Sequence, residues 1–118
     1  MEDAAALRAL EESFARPSST PCLRGDDRDL YIREEQQRLR SCLIKPVVVK
    51  AIASQWAQRY GQQDAVTREY VALARVKDTW LLYNPQTCEF AKALGEPVSG
   101  PLSLLGFASS DALAEWLG

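Results

Sequence analysis

Apolar positions change their period along this chain, from three-and-four spacing in the first half to alternation after about residue 67. Leu7, Leu10 and Phe14 share one helical face, and Glu2 and Asp3 stand where a helix dipole favours acids, so residues 3–14 are predicted to form a helix. Pro17, Pro21 and the hydroxyl residues between them break the pattern, which marks 15–27 as a flexible loop. Residues 28–43 are rich in helix formers, yet their apolar stripe is poor, with Ile32 and Leu39 seven apart and only polar residues between them. That spacing predicts a surface helix with one buried edge; a short strand at Leu30-Tyr31-Ile32 is the alternative. After Pro46, the positions Val49, Ile52, Trp56 and Tyr60 read as the buried stripe of a third helix, stopped at Gly61.

Alternation then takes over. Val71, Leu73 and Arg75 alternate with Tyr70, Ala72, Ala74 and Val76, predicting a strand that turns at Lys77-Asp78 into a second, Thr79 to Tyr83. Asn84-Pro85-Gln86-Thr87 has strong turn chemistry and leads to a third strand, Cys88 to Leu94. Beyond the loop 95–101, Leu102 to Phe107 suggests a fourth strand on the sheet edge. Ser110 or Asp111 then caps a closing helix that carries Leu113, Trp116 and Leu117. The expected fold is a single α+β domain over 1–118, with N-terminal helices packed on a three- to four-stranded antiparallel meander and closed by a C-terminal helix. The second strand is apolar on both faces, since Trp80 and Leu82 point one way and Leu81 and Tyr83 the other. Either the chain covers both faces, or an apolar patch is left for a partner.

Composition narrows the chemistry. With no histidine, the commonest general base, metal ligand and near-neutral pH switch are all missing, so imidazole-dependent nucleophiles are excluded and no enzyme is expected. Cys22, Cys42 and Cys88 form no C-x-x-C pair, which argues against zinc and for reduced thiols, with Cys42 and Cys88 packed as small apolar groups. The formal net charge of −2 does not suit a protein whose affinity rests on phosphate neutralisation. Residues 1–60 carry ten basic and nine acidic side chains and residues 61–118 carry four and seven, so the acidic excess sits in the second half. The acidic start Met1-Glu2-Asp3 and the lack of a long apolar run after it lead to the expectation of no secretory signal, no membrane-length apolar run is found in the sequence, and a cytoplasmic location is expected.

Several clusters have chemical readings. Asp26-Asp27-Arg28-Asp29 lacks the spread of ligands a calcium loop needs and reads as helix capping. Glu34 and Glu35 read as solvated carboxylates. Arg24, Arg28, Arg33, Arg38, Arg40, Lys45, Lys50 and Arg59 make 24–59 the most basic stretch, but the acids among them suggest an exposed, salt-bridged face. No cofactor and no metal site is expected. The candidate contact surface for a partner is Glu69, Tyr70, Trp80, Tyr83 and Glu89, which combines aromatic side chains with the acidic half.

Thr79-Trp-Leu-Leu-Tyr-Asn-Pro-Gln-Thr-Cys-Glu-Phe followed by Leu104-Leu-Gly-Phe-Ala-Ser-Ser-Asp-Ala-Leu-Ala-Glu-Trp-Leu resembles the end of SUKH (SMI1/KNR4-type) proteins. There, a strand, an Asn/Asp-Pro-x-Thr turn and another strand precede a terminal helix with a serine-rich cap. The resemblance is confined to the C-terminal third and implies a bacterial immunity protein that neutralises a toxin by binding it. The expected function is therefore a small bacterial protein-interaction module, with a protein partner such as a basic toxin domain. The alternative is a nucleic-acid-binding or regulatory adaptor using the arginines of 24–59.

Overall fold

In the computed structural model, residues 2–18, 27–54, 58–59, 66–105 and 108–117 are described below. The first helix, α1 (Glu2–Ala15), buries Ala6, Leu10 and Ser13, while Leu7 lies on its exposed edge. Leu10 is buried as expected and Phe14 packs against the core, while Ser13 is also buried, its hydroxyl accepting from the Ala112 N–H at 2.9 Å. The second helix, α2 (Arg28–Ser41), is capped by Asp27, whose carboxylate accepts from the backbone N–H groups of Asp29 and Leu30 at 3.0 and 3.3 Å. Only Leu39 is fully buried on it, as expected of a surface helix, and Leu30-Tyr31-Ile32 is helical rather than a strand. Most of the loop expected at 15–27 lies outside the described residues.

The largest departure follows. Where a helix from Val47 was expected, the chain forms an eleven-residue strand, β1 (Leu43–Ala53). Val49 and Ile52 share a face only in a helix, but the β-branched run Val47-Val48-Val49 favours extended backbone, and Val49, Ala51 and Ala53 are buried on one strand face, with half-buried Ile52 on the other. Pairing with the next strand decides the competition between local and tertiary preference. Pro46 lies within the register shift between Leu43 and Val47, where its missing N–H breaks no ladder bond. Trp56, Tyr60 and Gly61 lie outside the described residues.

Next come β2 (Arg68–Val76), β3 (Thr79–Asn84) and β4 (Glu89–Leu94), each antiparallel to its predecessor. The expected turn at Lys77-Asp78 is present, with Lys77 in the left-handed region at φ 57°. A register shift between Ala72 and Ala74 moves Ala74 to the face of Leu73, so the strict alternation expected for β2 holds only up to the bulge. A 3₁₀ turn (Pro97–Ser99) and a short β5 (Leu102–Leu104) follow.

Rather than ending the sheet at an edge, β5 closes it. It pairs antiparallel with β4 at Ala93 and Leu94, and parallel with β1 over Ala51–Ala53, so five strands form a closed barrel. Gly95 permits the sharp return: its φ is 131°, and a side-chain carbon there would sit 3.3 Å from Leu102 Cδ2. The last helix, α3 (Ala112–Leu117), packs on β4, β3, α1 and α2.

Two cores result. Inside the barrel lie Val49, Ala51, Tyr70, Ala72, Trp80, Leu82, Ala91, Ala93, Leu102 and Leu104. Outside it, Val71, Leu73, Leu81, Tyr83 and Phe90 are covered by Ala6 and Leu10 of α1, Leu39 of α2 and Leu113 of α3. The fold is α+β as expected, with five strands instead of three or four. Both faces of β3 are covered by the chain itself. No helix among the described residues is long and apolar enough to cross a membrane.

Candidate functional site

Of the five residues expected to form a contact surface, three are core. Trp80 is 3% exposed inside the barrel; its indole N–H donates to the Gly95 carbonyl at 2.9 Å, and the Arg75 guanidinium covers its ring at 4.3 Å. Tyr83 is 5% exposed on the opposite face, with its ring 5.1 Å from that of Phe90. Burial, then a hydrogen bond to the Cys88 side chain and the nearby Cys88 and Glu12 charges, push the Tyr83 hydroxyl up to about 12. Tyr70 is 7% exposed, and its side chain fills the barrel interior. Tyr70, Trp80 and Tyr83 therefore cannot offer broad aromatic contact to a partner. The alternation that placed them on strand faces was right; what it could not show was that helices cover one face and barrel closure covers the other.

The acids fare differently. Glu69 is exposed and Glu89 half-buried. Register brings them to one end of the barrel: Tyr83 opposes both Val71 and Phe90, and Asn84 opposes Glu89, so the start of β2, the end of β3 and the start of β4 meet there. Trp80 is sent to the other end, opposite Arg75 and Ala93. The turn between β3 and β4 builds the rim of this end. Asn84 Oδ1 accepts from the Gln86 N–H at 2.9 Å, and the Asn84 carbonyl accepts from the Cys88 N–H at 2.8 Å. Cys88 adopts φ 58° and is exposed, so it closes the turn instead of packing as the first residue of a strand.

Two adjoining grooves open at this rim and share Tyr70 and Gln86 as a dividing wall. One, of about 320 Å³, runs between Val48, Glu69 and Pro85. The other, of about 340 Å³, is bounded by Arg68, Thr87, Glu89 and Ala108. Val48 and Val66 are exposed beside Glu69 and Arg68 in sequence or register. The arrangement is a notched surface of mixed charge, with Glu89 and Arg68 on one groove, Glu69 on the other with Lys50 opposite it on β1, and an apolar margin at Val48 and Val66.

Ser109 and Glu115, which the sequence did not single out, stand behind it. The Ser109 hydroxyl donates to Glu115 at 2.6 Å, and the Ser109 backbone pairs with that of Phe90. Burial raises the Glu115 carboxyl above its ordinary value; the Ser109 bond opposes that shift, and Asp111 and Glu89 add to it. An S-x(5)-E spacing around a helix cap carries no distinctive signal, which is why it passes unnoticed in the sequence.

The remaining clusters read as structural. Asp27 caps α2 as expected, and Asp26 lies outside the described residues. Arg38 pairs with Glu35 at 2.6 Å, and Arg40 pairs with Glu11 at 2.9 Å while covering Phe14. No group of three potential metal ligands occurs among the described residues. Comparison with protein-family models, curated proteins and solved structures gives no match.

Proposed function

We propose that the chain is a small protein-interaction module that binds a basic partner through the end of the barrel that carries Glu69 and Glu89, most concretely an immunity protein neutralising a toxin domain. The observation that carries this reading is that Glu69 and Glu89 each line one of two adjoining grooves at the same end of the barrel, next to exposed Val48. Acidic groups flanking an apolar margin steer a basic partner and leave area to bury once it docks. The toxin-binding version rests on the resemblance of the C-terminal third to SUKH proteins, and on an acidic second half that suits a basic target. The adaptor reading has less support, because Arg38 and Arg40 are held by Glu35 and Glu11.

The test is affinity capture from the native host with the wild-type chain and with the Glu69→Lys/Glu89→Lys variant, followed by titration of the captured protein. A basic protein should bind the wild type and lose about tenfold or more with the variant, in line with the cost of like-charge contacts across an interface. Equal binding by both, or a partner retained through the arginines of α2, would overturn it.

A further inference from the structure

The joint between α3 and β4 is held by polar contacts as well as by the core, and one of them is ionisable. The Ser109 backbone bonds to that of Phe90 in both directions, at 2.6 and 3.1 Å. The Ser109 hydroxyl then turns to the helix, accepting from the Asp111 N–H at 3.2 Å and donating to Glu115 at 2.6 Å. On the side of α1, the Ala112 N–H donates to the buried Ser13 hydroxyl at 2.9 Å. Six residues make too short a helix to stand alone, so α3 keeps its form only while it is docked.

Glu115 sits half-buried in this joint. The charges that act on it are acidic, Asp111 on its own segment and Glu89 on β4. Asp111 is engaged by the Ala114 N–H and the Ser18 hydroxyl, whereas Glu89 makes no ion pair among the described residues. On the other elements packed against α3, Arg16 of α1 donates to the Ser110 carbonyl, Glu12 of α1 acts on Tyr83 of β3, and Arg40 of α2 is held by Glu11. Burial and Glu89 both favour the protonated acid; the Ser109 bond favours the carboxylate, and burial is the larger effect. The docked state therefore gains from a protonated Glu115 in full below the ordinary 4.5, and loses that gain as pH rises through the raised folded value.

From this geometry we infer that the α3–β4 joint is a pH-set clasp on the groove bounded by Glu89 and Ala108. With Glu115 protonated, α3 lies closed on β4. With Glu115 ionised, its charge opposes that of Glu89, and α3 loosens together with the segment that leads into it from Ala108. Both Ala108 and Glu89 wall the groove, so the clasp sets its width. The device belongs to the fold and does not depend on what the groove binds.

The full chain is titrated by NMR from about pH 4 to about pH 8, the span in which a buried glutamate takes up its charge. The Glu115 carboxyl carbon gives the midpoint. Exchange of the Ala112 N–H, corrected for its intrinsic pH dependence, reports docking of α3 on α1, and exchange of the Ala72 N–H reports opening of the barrel. Ala112 protection should fall severalfold as Glu115 ionises while that of Ala72 holds, and the Ala108 amide shift should follow the same midpoint. Glu89→Gln should move the Glu115 midpoint down and Ser109→Ala should move it up, opposite signs that lost packing alone would not produce. Glu115→Gln should keep Ala112 protected at every pH. If Ser109→Ala loosens α3 outright, Glu89→Gln decides. The inference is overturned if Ala112 protection stays constant through the titration, if its fall survives in Glu115→Gln, if the Ala108 shift does not titrate, or if Ala72 falls in step, which would mean unfolding of the whole chain.

Discussion

The barrel interior and the helix-covered outer core are built from different residues, although β3 supplies both. The interior is walled by Ala51, Ala72, Ala91 and Ala93 around Trp80, Tyr70 and three leucines. The outer core relies on Leu10, Leu39, Leu73, Leu81 and Leu113 with Phe90. Five strands curled on themselves leave little interior width, so small side chains must face the few large ones. Helices lying on a sheet stand farther off, and long branched side chains fill that gap. A strand apolar on both faces is thus the shared wall of two cores rather than an exposed patch.

The sharpest break in this comparison is Trp80→Ala. It empties the largest interior side chain and leaves the Gly95 carbonyl without its donor, and should cost about 3–5 kcal/mol by urea unfolding. Loss of less than half of that would mean that the interior collapses freely and is not tightly packed. Adding volume is the converse. Ala72→Leu should destabilise by about 1–3 kcal/mol through overpacking, whereas the volume-conserving Leu81→Met in the outer core should cost less than about 1.5 kcal/mol.

Tyr83 provides a smaller effect, read by pH. Its hydroxyl is pushed from 10.0 to about 12 in the folded chain, so the native state holds its proton more tightly than the unfolded state. The resulting stabilisation is fully present below pH 10 and is lost as pH rises through about 12. Subtracting the Tyr83→Phe stability profile from the wild-type profile should isolate this alkaline leg. A flat difference would contradict the buried hydroxyl and its bond to Cys88.

Much of this was readable from residue order, and the misses share a physical cause. Alternation over 70–94 located three strands, and Asn84-Pro85 located their turn, because those signals are local. The i, i+3 pair Val49 and Ile52 matches a helix while Val49, Ala51 and Ala53 alternate as a strand does, and the six paired positions along β2 decide between them. Closure by β5 could not be read, since three residues of parallel pairing to β1 leave no pattern of their own. The bulge at Ala72–Ala74 likewise switches faces without a glycine or proline to announce it. At the candidate site, Glu69 and Glu89 were legible as acidic residues at the starts of two strands. The burial of Tyr70, Trp80 and Tyr83 was not, because it depends on helices and a closing strand that come from elsewhere in the chain.

Leu81 and Leu82 offer the most direct test, as adjacent residues of β3 that face opposite cores and are both fully buried. Measured side by side by urea unfolding, Leu81→Ala and Leu82→Ala should each cost about 2–5 kcal/mol, as expected of leucines in two separate packed cores. If either substitution stayed within about 0.5 kcal/mol of wild type, the range of an exposed site, that face of the strand would be uncovered and the two-core structure would be wrong.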